Sequence, residues 1–105
     1  MNFQVGTALL ETCVLAVLSK ENLYGYILTQ NIKEIIDISE STLYPILRRL
    51  QKENFLTVYD MSFGGRNRRY YQVTDLGKEK LNEYIHEWND YKKRIDKILG
   101  GTSNE

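Results

Sequence analysis

The chain has 105 residues of near-average composition, and its 14 Lys and Arg balance 14 Asp and Glu to a formal net charge of zero. That length predicts one domain with one core, too small to bury most of its surface, so association with a second copy would help it. One cysteine, Cys13, excludes an internal disulfide, no apolar run nears the ~18 residues of a membrane span, and the opening "MNFQVG" lacks the basic region of a secretory leader, so a cytoplasmic protein is expected.

Residues 6–19, "GTALLETCVLAVLS", are mostly apolar and predict a largely buried first helix. "KEN" is a polar break, with Asn22 placed to cap a second helix. That helix, "LYGYILTQNIKEII", carries an apolar stripe of Tyr24, Ile27, Leu28, Ile32 and Ile35. "DIS" ends it. In "ESTLYPILRRL" Leu43, Ile46, Leu47 and Leu50 form the stripe of a third helix, which "KENF" terminates. Then the pattern changes. "LTVYDMSF" and "RRYYQVT" are rich in β-branched and aromatic residues, and "GGRN" between them predicts a β-hairpin. Thr74 or Asp75 starts a long helix to about Leu99, followed by a frayed tail, "GGTSNE". The fold class is therefore α+β and mostly helical.

Pro45, the single proline, lies inside the third helix. A cap at Thr42 puts it at N3 and a cap at Ser41 at N4, where proline loses little. A start at Ser39 costs one turn bond and opens the first turn. In each case the helix N-terminus presents free donors and partly positive character, which suits phosphate. Opposite the leucine stripe lie Ser41, Tyr44, Arg48 and Lys52. Residues 41–71 also hold Arg49, Arg66, Arg68 and Arg69, against only Glu53 and Asp60. One reading is an ordinary solvated face. The other is a helix that enters a DNA groove and a hairpin tip, "GGRNRR", that touches the neighbouring backbone, which is the logic of a winged helix-turn-helix. Strand alternation turns Arg69 away from Arg68, and on this reading away from DNA.

These stretches carry a resemblance. "LYGYIL", "STLYPILRRLQKENFL" and "GGRNRRYYQVTDLGKEKL" resemble the PadR family of bacterial transcriptional regulators: Tyr-Gly-Tyr, then Thr-Leu-Tyr-Pro, an arginine-rich wing ending in Tyr-Tyr, and Thr-x-x-Gly, in order, over residues 23–81. Ser41 stands where many members have glycine. The resemblance implies a homodimeric DNA-binding regulator, usually a repressor; two copies of the third helix would then read a pseudo-palindromic operator. The regulator's DNA contacts would fall on Ser41, Thr42, Tyr44, Arg48, Arg66 and Arg68, and the spacing of the polar face adds Lys52. Tyr71 is expected in the core, Gly64 and Gly65 at the turn, and Gly77 at the entry to the last helix. On this reading residues 1–74 are the winged helix-turn-helix, 75–99 the long C-terminal dimerisation helix and 100–105 a flexible tail.

In the last helix Leu81, Tyr84, Trp88, Tyr91, Ile95 and Ile98 alternate at three- and four-residue steps, a heptad seam that predicts a dimer interface with the first helix. The resemblance is to the short subgroup with one C-terminal helix, some of whose members bind flat aromatic drugs at a central tryptophan. Trp88 matches that position, with Ala8, Glu11 and Thr12 as the facing pocket residues for a small aromatic effector; the alternative is that Trp88 only fills the seam. No enzyme is expected. His86 lies at a solvent-facing heptad position, Cys13 has no ligand partner at metal spacing, and neither a phosphate loop nor an acid pair is present, so neither metal nor cofactor is implied. The remaining functional alternative is a winged helix that binds protein instead of DNA.

Overall fold

The computed structural model describes residues 6–100, so the leader reading of "MNFQVG" and the tail beyond Gly100 lie outside the described residues. The elements run α1 (Thr7–Lys20), β1 (Leu23–Tyr24), α2 (Gly25–Lys33), α3 (Glu40–Lys52), β2 (Leu56–Phe63), β3 (Arg66–Val73) and α4 (Asp75–Ile98). The three strands form one antiparallel sheet in the order β1-β3-β2. The α+β, mostly helical expectation holds.

The second helix differs most from its sequence pattern. Asn22 does not cap it. Leu23 and Tyr24 instead pair with Tyr71 and Tyr70 as a short third strand, and Tyr24 becomes the helix N-cap. The Asn22 side-chain amide donates to the Tyr59 hydroxyl at 3.1 Å. A strand of two residues leaves no periodic signal; partners far along the chain create it. At the other end the helix stops at Lys33, so Ile35 falls past it and is 86% exposed, off the stripe assigned to it. Ile36 and Ile38 reach the core instead.

α3 starts at Ser39, whose side chain accepts from the Thr42 N–H. Pro45 is therefore the sixth helical residue. Its ring nitrogen has no proton to give, so the Ser41 carbonyl loses its usual helical donor. Leu43, Ile46, Leu47 and Leu50 are buried together with Leu10, Val14, Leu15 and Leu18 of α1.

The hairpin turn is tighter than "GGRN". Gly64 and Gly65 both have positive φ, 58° and 80°, and alone make a two-residue turn that suits the right-handed twist of the strands. Pairing therefore continues out to Phe63–Arg66, and Arg66 and Asn67 belong to β3.

α4 begins where sequence pattern puts it. The Thr74 side chain accepts from the Gly77 N–H at 2.9 Å and donates to the Asn54 carbonyl at 2.7 Å. Gly77 and Leu81 are buried, so the first turns of α4 belong to the core, and α1 continues to pack along it.

Candidate nucleic-acid interface

The leucine stripe fixes the orientation of α3. With Leu43, Ile46, Leu47 and Leu50 against α1, the opposite face of Ser41, Tyr44, Arg48 and Lys52 is exposed. At its N-terminal end the Ser39 hydroxyl lies 3.0 Å from both the Ser41 and Thr42 hydroxyls. Three hydroxyls thus gather at the end of a helix whose dipole and free N–H groups favour an anion.

Arg49, one residue from Arg48, turns toward the body of the protein. Its Nε lies 3.3 Å from Glu11 Oε2, an ion-pair contact without hydrogen-bond alignment. Glu11 is 3% exposed, and its other oxygen accepts from the Tyr84 hydroxyl at 2.6 Å. One buried carboxylate therefore ties α1 to both α3 and α4. Burial, with the Glu11 bond and charge behind it, pushes the Tyr84 hydroxyl up to about 12.

This arrangement corrects the pocket reading of Glu11. A groove of about 720 Å³ does run between α1 and α4, and Ala8, Thr12 and Trp88 line it, but Glu11 does not. Its carboxylate is committed to Tyr84 and Arg49. The charged groups along the groove are Glu87, Asp90 and Arg94 instead, the last two paired at 3.0 Å, beside Tyr91.

The seam of α4 divides in two. Leu81 is buried and Tyr84 packs on the core. Beyond them Trp88 is 38%, Tyr91 58% and Ile98 78% exposed, with Ile95 half-buried between. A helix that protrudes with aromatic and aliphatic side chains bare along one line is unpartnered in the single chain.

The wing sets its arginines on two faces. β3 alternates, and buried Val73 marks the inner face, so Tyr71, Arg69 and Asn67 lie inward and Tyr70, Arg68 and Arg66 outward. Tyr71 packs against the core as expected. The guanidinium of Arg68 lies over the rings of Tyr24 and Phe63, at 4.5 and 4.8 Å. Arg69 pairs with Asp60 across the ladder, at 3.2 Å. Sequence alternation separates these two arginines correctly. It does not reveal that the inner face, which holds Arg69, is the one that adjoins α3. Burial pushes the Tyr71 hydroxyl up, while the charges of Arg69 and Arg48 pull it back, so both cations lie near it.

Cys13 is half-buried and burial pushes its thiol up, which makes it a poor nucleophile. Among the described residues no group of His, Cys, Asp and Glu is placed to hold a metal ion, and no helix is long and apolar enough to cross a membrane.

Residues 14–83 match the transcriptional regulator PadR-like family. The chain is 36% identical over 98 residues to an uncharacterized protein of Lysinibacillus sphaericus, covering 88% of this chain and 89% of that one. Among solved structures, smu.1704 from Streptococcus mutans UA159 superposes with a TM-score of 0.87 at 43% identity, covering 100% of this chain and 99% of that one. A PadR-like transcriptional regulator (BC4206) from Bacillus cereus superposes with a TM-score of 0.80 at 33% identity, covering 90% and 94%.

Proposed function

The chain belongs to the PadR-like family of transcriptional regulators, whose members are not enzymes, and from that premise we propose that it is a homodimeric repressor of a pseudo-palindromic DNA operator. The observation that carries the reading is the division of α3. Four apolar residues are buried on one side, and Ser41, Tyr44, Arg48 and Lys52 stand exposed on the other. A helix built in this way inserts its polar face in a major groove, with Thr42 and the other hydroxyls of the N-terminus toward a phosphate and the wing, through Arg66 and its neighbours, along the flanking backbone.

The bare stretch of α4 supplies the dimer. Trp88, Tyr91, Ile95 and Ile98 meet a second chain, and the operator reading then requires the two α3 helices to stand about one helical turn of DNA, ~34 Å, apart. The groove beside Trp88 takes a small aromatic effector; Arg94 already pairs with Asp90 there, so Glu87 is the carboxylate that favours a cationic one. Such a ligand releases DNA only by binding one dimer geometry more tightly than the other. The location is cytoplasmic.

The test is binding of the purified protein to the duplex upstream of its own gene and to a scrambled duplex, over a salt series. The expected result is tighter binding to the first, two protomers per site, and a fall in log K with log salt that becomes shallower by about one unit per lost phosphate contact in Arg48→Ala. Absence of binding to either duplex at low salt would overturn the reading in favour of a protein-binding winged helix.

A further inference from the structure

The two faces of the wing differ in chemistry as well as direction. On the outer face the aromatic rings form a connected row. Tyr70 stacks on Tyr59 with ring centres 5.4 Å apart, and meets Tyr24 edge to face at 5.6 Å. Arg68 closes the row by lying over both Tyr24 and Phe63. Its guanidinium thus spans from β1, at the body of the domain, to Phe63, at the end of the wing next to the turn. A planar cation stacked between two rings is held by geometry that a lysine ammonium does not reproduce.

On the inner face the arrangement is an exposed ion pair. Arg69 Nε and Asp60 Oδ1 are 3.2 Å apart, with the two side chains 60% and 44% exposed. Asp60 is the only acidic residue in the two long strands. An ion pair so open to water is weak, and a second oxyanion can take the place of the carboxylate at little cost. A phosphate diester offers the same acceptor geometry. Arg69 also shares its face of the wing with Tyr71, α3 packs on the adjoining strand β2, and the charges of Arg48 and Arg69 both act on the Tyr71 hydroxyl. Two cations on two neighbouring elements therefore lie around one tyrosine.

We propose that Arg69 is the wing residue that binds the DNA backbone beside α3, that Asp60 is the carboxylate a phosphate displaces from it, and that Arg68 is a positioning residue that braces the wing through Tyr24 and Phe63. The proposal rests on the DNA-binding reading above and divides its labour among the wing arginines. Asp60 holds the Arg69 side chain at the inner face when no DNA is bound. Its charge repels every duplex alike, so it lowers affinity without altering the preference between sequences.

The experiment compares the full-length protein with R69A, R69K, R68A, R68K and D60N on the upstream and scrambled duplexes over a salt series, with unfolding midpoints measured in parallel. R69A is expected to reduce the salt slope by about 0.9 per protomer on both duplexes, and R69K to restore it, because a phosphate accepts a point charge. D60N is expected to bind both duplexes up to about fivefold tighter with their ratio unchanged, the scale of one exposed ion pair. R68K, though it keeps the charge, is expected to weaken binding as much as R68A does. The proposal is overturned if R69A keeps the wild-type slope, if D60N binds no tighter, or if R68A loses the slope and R68K restores it. Failure of the wild-type protein to bind any duplex at low salt would remove the DNA reading itself, a result distinct from all of these.

Discussion

Replacing Gly77 with alanine tests how closely α4 is seated on the loop before the hairpin. A Cβ built on Gly77 collides with the Phe55 carbonyl oxygen and comes within 2.7 Å of Val73 Cγ2 and 3.1 Å of the Phe55 carbonyl carbon. In an open helix the same change would stabilise by ~1 kcal/mol through helix propensity. Here the obstacle is backbone, and that backbone is pinned. The Phe55 carbonyl accepts from Thr74 N–H at 3.1 Å, Thr74 donates to Asn54, and the Gly77 N–H completes the cap. Overpacking a tight site costs ~1–3 kcal/mol. Shifting the helix to relieve it disturbs two or three of those bonds, at ~1 kcal/mol each. With the propensity gain subtracted, the net loss is about 3 kcal/mol. For a domain of this size that lowers the unfolding midpoint by ~10–20 °C. Urea and thermal unfolding followed by circular dichroism, at one fixed protein concentration, measure it. A Gly77→Ala protein as stable as wild type would refute the argument, because the clash would then cost no more than the ~1 kcal/mol that helix propensity returns.

Tyr84 predicts a pH effect. The folded state holds the phenol proton up to about 12, above the unfolded value of 10.0, so the folded state binds more protons in between. The stability this contributes is complete below pH ~10 and is lost as pH rises toward ~12. Unfolding midpoints measured across that window should fall more steeply for wild type than for Tyr84→Phe; parallel profiles would contradict the buried bond to Glu11. At the α4 seam, Trp88→Ala should weaken the proposed dimer by ~30-fold or more, the scale of a central aromatic anchor. Sedimentation on dilution reads it, and an unchanged dimer would place the interface elsewhere.

Most of the fold was legible because each long element carries either a periodic stripe or a distinct composition. α3 and α4 carry stripes at three- and four-residue steps, α1 is mostly apolar, the two long strands are rich in β-branched and aromatic residues, and the ends carry Ser39, Gly64, Gly65 and Thr74. β1 was not legible, since two residues have no period and Leu23–Tyr24 are extended only because β3 offers Tyr70 and Tyr71. In the candidate interface, the exposed face of α3 followed from the leucine stripe alone. Glu11 did not. A lone glutamate in an apolar helix reads as a charge that faces water or a ligand, and its real partners lie on α3 and 73 residues away on α4. The wing is intermediate. Alternation says that Arg68 and Arg69 part, and counting back from apolar Val73 would have set Arg69 inward. What no local rule supplies is that the inner face looks toward α3.

Pro45 shows how α3 can carry such a burden of function. The proline costs the helix one backbone bond, the one the Ser41 carbonyl would otherwise accept. Against this, burial of Leu43, Ile46, Leu47 and Leu50 contributes ~1.5–3 kcal/mol for each side chain, and the Ser39 cap about 1 more. The far end is fixed as well, because Asn54 adopts a φ of 66° and lets the Phe55 N–H reach the Leu50 carbonyl at 2.9 Å. Everything that holds α3 in place therefore lies on its inner side or at its ends. Ser41, Tyr44, Arg48 and Lys52 contribute little to the core. Substitutions there can change what the helix recognises while leaving the helix where it is, and this freedom suits a recognition surface better than a structural one.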